Sequence, residues 1–195
     1  KMELFHWNKT EVYQVQLSKD KKSLFLEYNQ CDVGFTGNHG FGRLDITAQK
    51  FVPYANLTKG YNEVLISPDE SRLLIRHSTA NHPWELYVMD NQTSASKLTQ
   101  ITHSTTKAFD AYPWIDPQVI SFKASDGVNV FARIYEPEAS KNNGAAVLFV
   151  HGAGYLQNAH HYWSNYYREY MFHHLLRDKG YTVLDVDYRA SEGYG

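Results

Sequence analysis

The chain has 195 residues, 43% hydrophobic and 21% charged, with a formal net charge of −2. This is the composition of a globular chain that can bury a core, and with no long block of one sign it carries no electrostatic footprint for nucleic acid or an anionic membrane. The single cysteine, Cys31, excludes an internal disulfide framework, and no apolar run approaches the roughly 18 residues of a membrane span.

Residue 1 is lysine and no secretory signal is visible, so the sequence reads as processed or as a piece of something longer. From there to residue 117 the pattern is short strands and turns, helped by 15 tyrosines. V-Y-Q-V-Q-L (12–17) alternates, turns at S-K-D-K-K, and continues as S-L-F-L-E-Y (23–28). The pattern returns as E-V-L-I (63–66), S-P-D-E-S and R-L-L-I-R-H (72–77). Ser18 and Asp20 match Ser67 and Asp69, and Leu24 and Leu26 match Leu73 and Ile75, each at a spacing of 49 residues. A self-match at that period marks a β-propeller blade or a similar array. Ser-x-Asp suits the turn because a short polar side chain bonds the backbone two residues on.

W-E-L-Y-V-M-D (84–90) reads as an outer strand. A Leu-Thr step, in N-L-T-K-G (56–60) and K-L-T-Q-I-T (97–102), precedes each expected inner strand. This gives about two blades, the first elaborated around G-F-T-G-N-H-G-F-G (34–42). That cluster misses G-x-G-x-x-G, because Asp45 stands at the third glycine, so a flexible hairpin tip is expected rather than a phosphate cradle. The sequons at Asn8, Asn56 and Asn91 read as chance, and Cys31 as inert.

The rhythm changes at residue 118. Q-V-I-S-F-K-A (118–124) and V-N-V-F-A-R-I-Y (128–135) flank Asp126-Gly127, a hairpin signal. After a surface loop, A-A-V-L-F-V (145–150) reads as a strand covered on both faces. The spacing of Tyr166, Tyr170, Met171, Phe172, Leu175 and Leu176 predicts a helix over about 159–179, stopped by Gly180. T-V-L-D-V-D-Y-R (182–189) is the next strand. A helix between two apolar strands predicts a parallel pair.

H-G-A-G (151–154) leaves the third of these strands. In α/β-hydrolases such a loop gives a backbone N–H to an oxyanion, and small residues allow the close approach. The alternative is a tight turn with a buried histidine. His160-His161 and His173-His174 lack the spacing of a metal set and are expected to be solvated or partly packed. Ser191 is no nucleophile elbow, since Arg189 stands where G-x-S-x-G needs glycine, and that motif occurs nowhere in the chain.

These pieces resemble the prolyl oligopeptidase family of serine peptidases, especially its dipeptidyl-peptidase IV-like and acylaminoacyl-peptidase-like branches. The resemblance lies in S-P-D-E-S-R-L-L-I and P-W-E-L-Y-V-M-D, in I-S-F-K-A-S-D-G-V-N-V-F-A-R-I-Y-E-P, in V-L-F-V-H-G-A-G, and in D-Y-R-A-S-E-G-Y-G, close to the family's D-x-R-G-S-x-G-Y-G. It covers nearly the whole chain. It implies a mixed fold: C-terminal blades of a β-propeller over 1–117, then the N-terminal part of an α/β-hydrolase domain over 118–195.

The resemblance also implies hydrolysis of short peptides, with dipeptidyl, prolyl and acylaminoacyl specificities all open. The family's Ser, Asp and His lie later than the D-Y-R motif. None of the triad is therefore expected in this chain, and the chain alone is expected to be inactive. Roughly 30–60 residues should separate its end from the nucleophile. The oxyanion-hole candidates are His151, Gly152, Ala153, Gly154 and Tyr155, and Arg189 and Ser191 mark the edge of the active site.

Two departures stand out. His151 occupies the place of the family's oxyanion tyrosine, leaving Tyr155 or the N–H groups of Gly152 to Gly154 to serve. Ala190 replaces a glycine. No cofactor, metal or nucleic acid is implied. A homodimer of the full-length protein is compatible with the family. The family and the sequons lean towards a secreted or periplasmic site, with the cytoplasm open. Two other readings stay open: an esterase or acyl hydrolase with a propeller, and a binding protein whose hydrolase-like domain has lost its triad.

Overall fold

The computed structural model describes residues 10–30, 36–152, 154 and 156–194. They are mostly β-structure, arranged in two sheets with few helices.

The first sheet contains two antiparallel meanders. One comprises β1 (Thr10–Leu17), β2 (Ser23–Gln30), β3 (His39–Asp45) and β4 (Lys50–Pro53). The other comprises β5 (Tyr61–Ile66), β6 (Arg72–Thr79), β7 (His82–Asp90) and β8 (Thr99–Gln100). A parallel pairing of His39 with Tyr61 joins them.

The 49-residue repeat is reproduced atom by atom. The Ser18 hydroxyl donates to Asp20 at 2.6 Å and accepts the Ser23 N–H at 3.0 Å; Ser67 does the same with Asp69 at 2.7 Å and with the Arg72 N–H at 2.9 Å. Lys21 and Glu70, next in each turn, both take a left-handed backbone, with φ of 59° and 60°. The Ser67 and Ser71 hydroxyls hold the Asp69 carboxyl below the usual carboxylate range. The two turns touch, the Lys19 N–H donating to Glu70 at 2.8 Å. Phe25, Phe41, Tyr54, Leu57, Leu73 and Ile75 close the core.

The short helix α1 (Lys107–Asp110), capped by the Thr106 hydroxyl, leads to the second sheet. Its strands are β9 (Gln118–Lys123), β10 (Asn129–Tyr135), β11 (Ala146–Val150) and β12 (Thr182–Asp187), in the order β11-β12-β10-β9. The β9–β10 turn closes at Gly127, whose N–H donates to Ala124 O at 2.9 Å. β11 and β12 pair in parallel, connected through α2 (Tyr167–Asp178).

Five expectations need correction. The helix begins at Tyr167, not near Ala159. Residues 158–163 spend their backbone and rings on tertiary partners instead: the Asn158 and Ala159 N–H groups go to Asp187, the His161 N–H goes to Gly37 O, and His160 stacks on Tyr162 at 3.6 Å. The helix buries Tyr170, His173 and His174 and turns Met171, Phe172 and Leu175 outward. His173 and His174 are thus buried, beyond the solvated or partly packed state expected. His174 accepts the Ile115 N–H at 3.2 Å, and its other nitrogen lies 2.9 Å from Tyr170 O.

β11 is covered on one face only among the described residues, with Leu148 63% and Val150 51% exposed. β8 pairs back onto β7 and opens no further strand. In the glycine cluster, residues 36–42 are buried. A Cβ on Gly37 would lie 2.4 Å from Ala159 O and from His160 Cα. The glycine is there for a backbone-to-backbone crossing between the two halves, not for a loose tip. Gly34 and Cys31 lie outside the described residues, as does Asn8. The other two sequon amides donate to backbone carbonyls, Asn56 to Ser96 and Asn91 to Glu70.

Burial also fixes a pH dependence. The His39 ring lies between Tyr13 and Tyr61, with centroids at 4.6 and 3.9 Å. Desolvation pushes His39 and His173 down to about 4. The unfolded chain, titrating near 6.5, binds more protons between those values, so stability is full above about pH 6.5 and falls as pH drops towards 4. We expect denaturation midpoints to fall across that window. His39→Phe should reduce the total loss across that window by up to about 3 kcal/mol. A constant difference between variant and wild type from pH 7 to 4 would refute this account.

Candidate active site

The parallel register aligns Val150 with Val186, so His151 and Asp187 leave neighbouring strand ends side by side. His151 is buried. Its Nδ1 lies 2.8 Å from Gly152 O, an acceptor only, and therefore carries a hydrogen. Its Nε2 lies 3.1 Å from Asp187 Oδ1 and 3.2 Å from Ser191 Oγ. The Ser191 hydroxyl donates to Tyr188 O at 2.7 Å. The Tyr188 ring stacks on His151 at 4.8 Å. Nε2 thus faces the Asp187 carboxyl group, and the ring cannot turn without losing Gly152 O.

Asp187 ties three further groups to this point. It accepts the N–H of Asn158 at 2.7 Å and of Ala159 at 2.9 Å, and the hydroxyl of Tyr194. Burial pushes its carboxyl up, and those donors oppose the shift. Two residues back, on the same face of β12, Asp185 accepts Arg133 Nη2 and Asn158 Nδ2, both at 2.8 Å. Arg133, Asp185 and Asn158 were missed from the sequence. The available signal was the charge at alternate positions of an apolar strand, D-V-D in 185–187, facing the lone arginine of V-F-A-R-I-Y.

The predicted site residues fall into four groups. Ser191 and Asp187 meet at His151 Nε2. Gly152 and Gly154 sit beside them: a Cβ on Gly152 would meet nothing within 4 Å, and one on Gly154 would come no closer than 3.6 Å, to Ala190 O. Arg189 points away and pairs with Asp126 at 2.6 Å on the surface, where such a pair contributes little. Ala153 and Tyr155 lie outside the described residues. A cleft of about 460 Å³ opens at the end of β12, lined in part by Phe131, Asp187, Tyr188, Arg189 and Tyr194.

Ser191, His151 and Asp187 look like a nucleophilic triad by name but not by geometry. A triad needs the carboxylate on one imidazole nitrogen and the serine hydroxyl donating to the other. Here both oxygens crowd Nε2, Nδ1 is committed to Gly152 O, and the serine donates elsewhere. The arrangement holds a loop in place. Among the described residues, no three or more His, Cys, Asp or Glu side chains are grouped to hold a metal.

Fold and site together define a two-sheet chain with a glycine loop anchored at the end of a parallel strand pair, and its relatives are peptidases. It is 26% identical over 153 residues to the uncharacterized peptidase YuxL of Bacillus subtilis, covering 77% of this chain and 22% of that protein. It is 22% identical to dipeptidyl aminopeptidase BIII of Pseudoxanthomonas mexicana, covering 96% of this chain and 30% of that protein. In fold it resembles an acylaminoacyl peptidase of Pyrococcus horikoshii, with a TM-score of 0.66 and 21% identity over 96% of this chain and 26% of that one. No family model matches the chain. The likeness to prolyl oligopeptidase-family enzymes thus appears in motifs, relatives and fold. The chain spans under a third of the length of each curated relative it matches.

The loop after β12 yields a paired prediction. Gly193 has φ +89°, and a Cβ there would lie 2.4 Å from Gln157 Oε1 and 2.8 Å from Asn29 Nδ2. Ala190, where the family has glycine, has φ +63°. We expect Gly193→Ala to destabilise by about 2 kcal/mol or more, and Ala190→Gly to stabilise by about 1 kcal/mol. Denaturant titration checks both, and equal signs for the two would contradict the reading.

Proposed function

We propose that this chain is the junction of a serine peptidase of the prolyl oligopeptidase type, with the last blades of a β-propeller in residues 1–117 and the first strands of an α/β-hydrolase domain in 118–195. The observation that carries this is the His151–Gly152 loop, locked against Asp187 at the end of a parallel strand pair, in a chain whose relatives are peptidases. The repeated Ser-x-Asp turns and the two linked meanders support the propeller half.

In this reading the substrate is a short peptide, and release of dipeptides is one form of the activity. Backbone N–H groups in 152–154 supply the oxyanion contact, and Gly152 and Gly154 leave room for a carbonyl to approach. The His151 ring is turned inward and does not itself reach the oxyanion. It positions the loop through the Gly152 carbonyl. The Ser, Asp and His of the reaction belong to the part of the parent that this chain does not cover. There the serine attacks the peptide carbonyl, the histidine takes its proton, and the aspartate orients the histidine. The 195 residues alone are inactive.

The first test is the parent reading frame beyond Gly195. A G-x-S-x-G following a predicted strand, then Asp and His, is expected. The parent should react with a fluorophosphonate and cleave short peptide anilides, and the 195-residue chain should do neither. Labelling of the short chain, or a parent frame without the serine, would sink the proposal. In an active parent, His151→Phe should lower kcat/KM by about 100-fold, because a displaced donor costs about what a missing one does. Unchanged kcat/KM per labelled site would remove His151 from the loop-holding role.

A further inference from the structure

The buried Arg133–Asp185 pair leaves polar atoms over. The two residues face each other across β10 and β12, and their side chains are each 1% exposed. One guanidinium nitrogen bonds Asp185. The other two, Nε and Nη1, have no protein partner within hydrogen-bond reach. Two residues along the same strand face, the Tyr135 hydroxyl is also buried without a partner. From α2, the His173 ring packs on Tyr135 with centroids 5.2 Å apart. Its Nδ1 is buried and unpartnered too, 3.9 Å from Asp185 Oδ2. That gap is too long for a direct bond and typical of a bridged one.

These four atoms belong to three side chains linked in a chain of neighbours: Arg133 bonds Asp185, His173 lies 3.9 Å from the same carboxylate, and its ring packs on Tyr135. Each one left unpaired would cost about 1–3 kcal/mol. Their chemistry defines what could pair them. The guanidinium offers only donors, the neutral imidazole nitrogen can accept, and the phenol can do both. A cation is repelled by Arg133. An anion would place an uncompensated charge beside a pair that is already neutral. A small neutral molecule that accepts and donates at once fits all three.

We infer that Arg133, Tyr135 and His173 form a buried hydration site between β10, β12 and α2, in which ordered water accepts from the guanidinium and bridges it to the phenol and the imidazole. The site joins the helix to the strands by polar contacts where the helix's larger apolar side chains face outward. It shares the Asp185 carboxylate with the Asn158 side chain and so supports the loop that hangs from Asp187. It does not depend on the peptidase reading.

The test uses the sign of a stability change, measured on the parent protein. Tyr135→Phe keeps the ring and removes only the hydroxyl. If the hydroxyl holds bridging water, Tm falls by about 2–4 °C. If it is an orphan, Tm stays or rises. Paired with His173→Phe, the two changes should be non-additive, because each removes the same bridge. A crystal structure should show density within hydrogen-bond distance of Arg133 and at least one of the other two. A raised Tm for Tyr135→Phe, additive variants, or a bromide peak at this position after soaking would each overturn the inference.

Discussion

The structure of the second half depends on two buried carboxylates. Asp185 and Asp187 occupy alternate positions of β12 and point to the same side. Burying a carboxylate is costly unless its oxygens find donors. The chain supplies them from widely separated places: a guanidinium on β10, backbone N–H groups and a side-chain amide at 158–159, a phenol at 194 and an imidazole at 151. Each donor brings its segment with it. The connection after the glycine loop is drawn under the sheet, and the loop after β12 folds back. Residues 160–163 are then delivered to the first sheet, where His161 bonds Gly37 and Trp163 bonds Ser78. The union of the two sheets follows from satisfying these oxygens.

Much of this could be read from the sequence wherever local chemistry decides. The Ser-x-Asp turns are self-contained: hydroxyl, carboxylate and left-handed residue lie within six positions, so a repeat in letters became a repeat in atoms. The Asp126–Gly127 hairpin and the parallel crossover followed from period and turn residues for the same reason. Local reasoning failed where distant acceptors won. The N–H groups of 158–161 could have begun a helix. Asp187 and Gly37 offered them fixed partners, and the helix starts only once those are used up. The side-chain spacing on α2 predicts a helix, yet the face that helix buries carries two histidines. Aromatic neighbours at Tyr135 and Phe149 fit their flat rings, and Ile115 supplies a bond to one of them.

The candidate site was legible in position but not in orientation. A histidine and glycines after an apolar strand do mark the loop. Nothing in those letters says that the imidazole faces inward, because its partner, Asp187, comes 36 residues later and only the parallel register brings it alongside. The glycines show the same limit. Those in 37–42 looked like slack, whereas Gly37 is a crossing point of two backbones. Ala190 carries a left-handed φ that glycine would adopt without steric strain, which the letters do not show.

Ser191, His151 and Asp187 show how far residue identity falls short of chemistry. To make Ser191 a nucleophile, its hydroxyl would have to release Tyr188 O and donate to Nε2. Asp187 would then have to move to Nδ1, displacing Gly152 O. Moving Asp187 would orphan the N–H groups of Asn158 and Ala159, and with them the connection to the first sheet. The cost of rearrangement is spread over every segment Asp187 holds. The same bonds that disqualify the trio as a reaction centre fit it to keep a loop still, which is what an oxyanion contact demands of its surroundings.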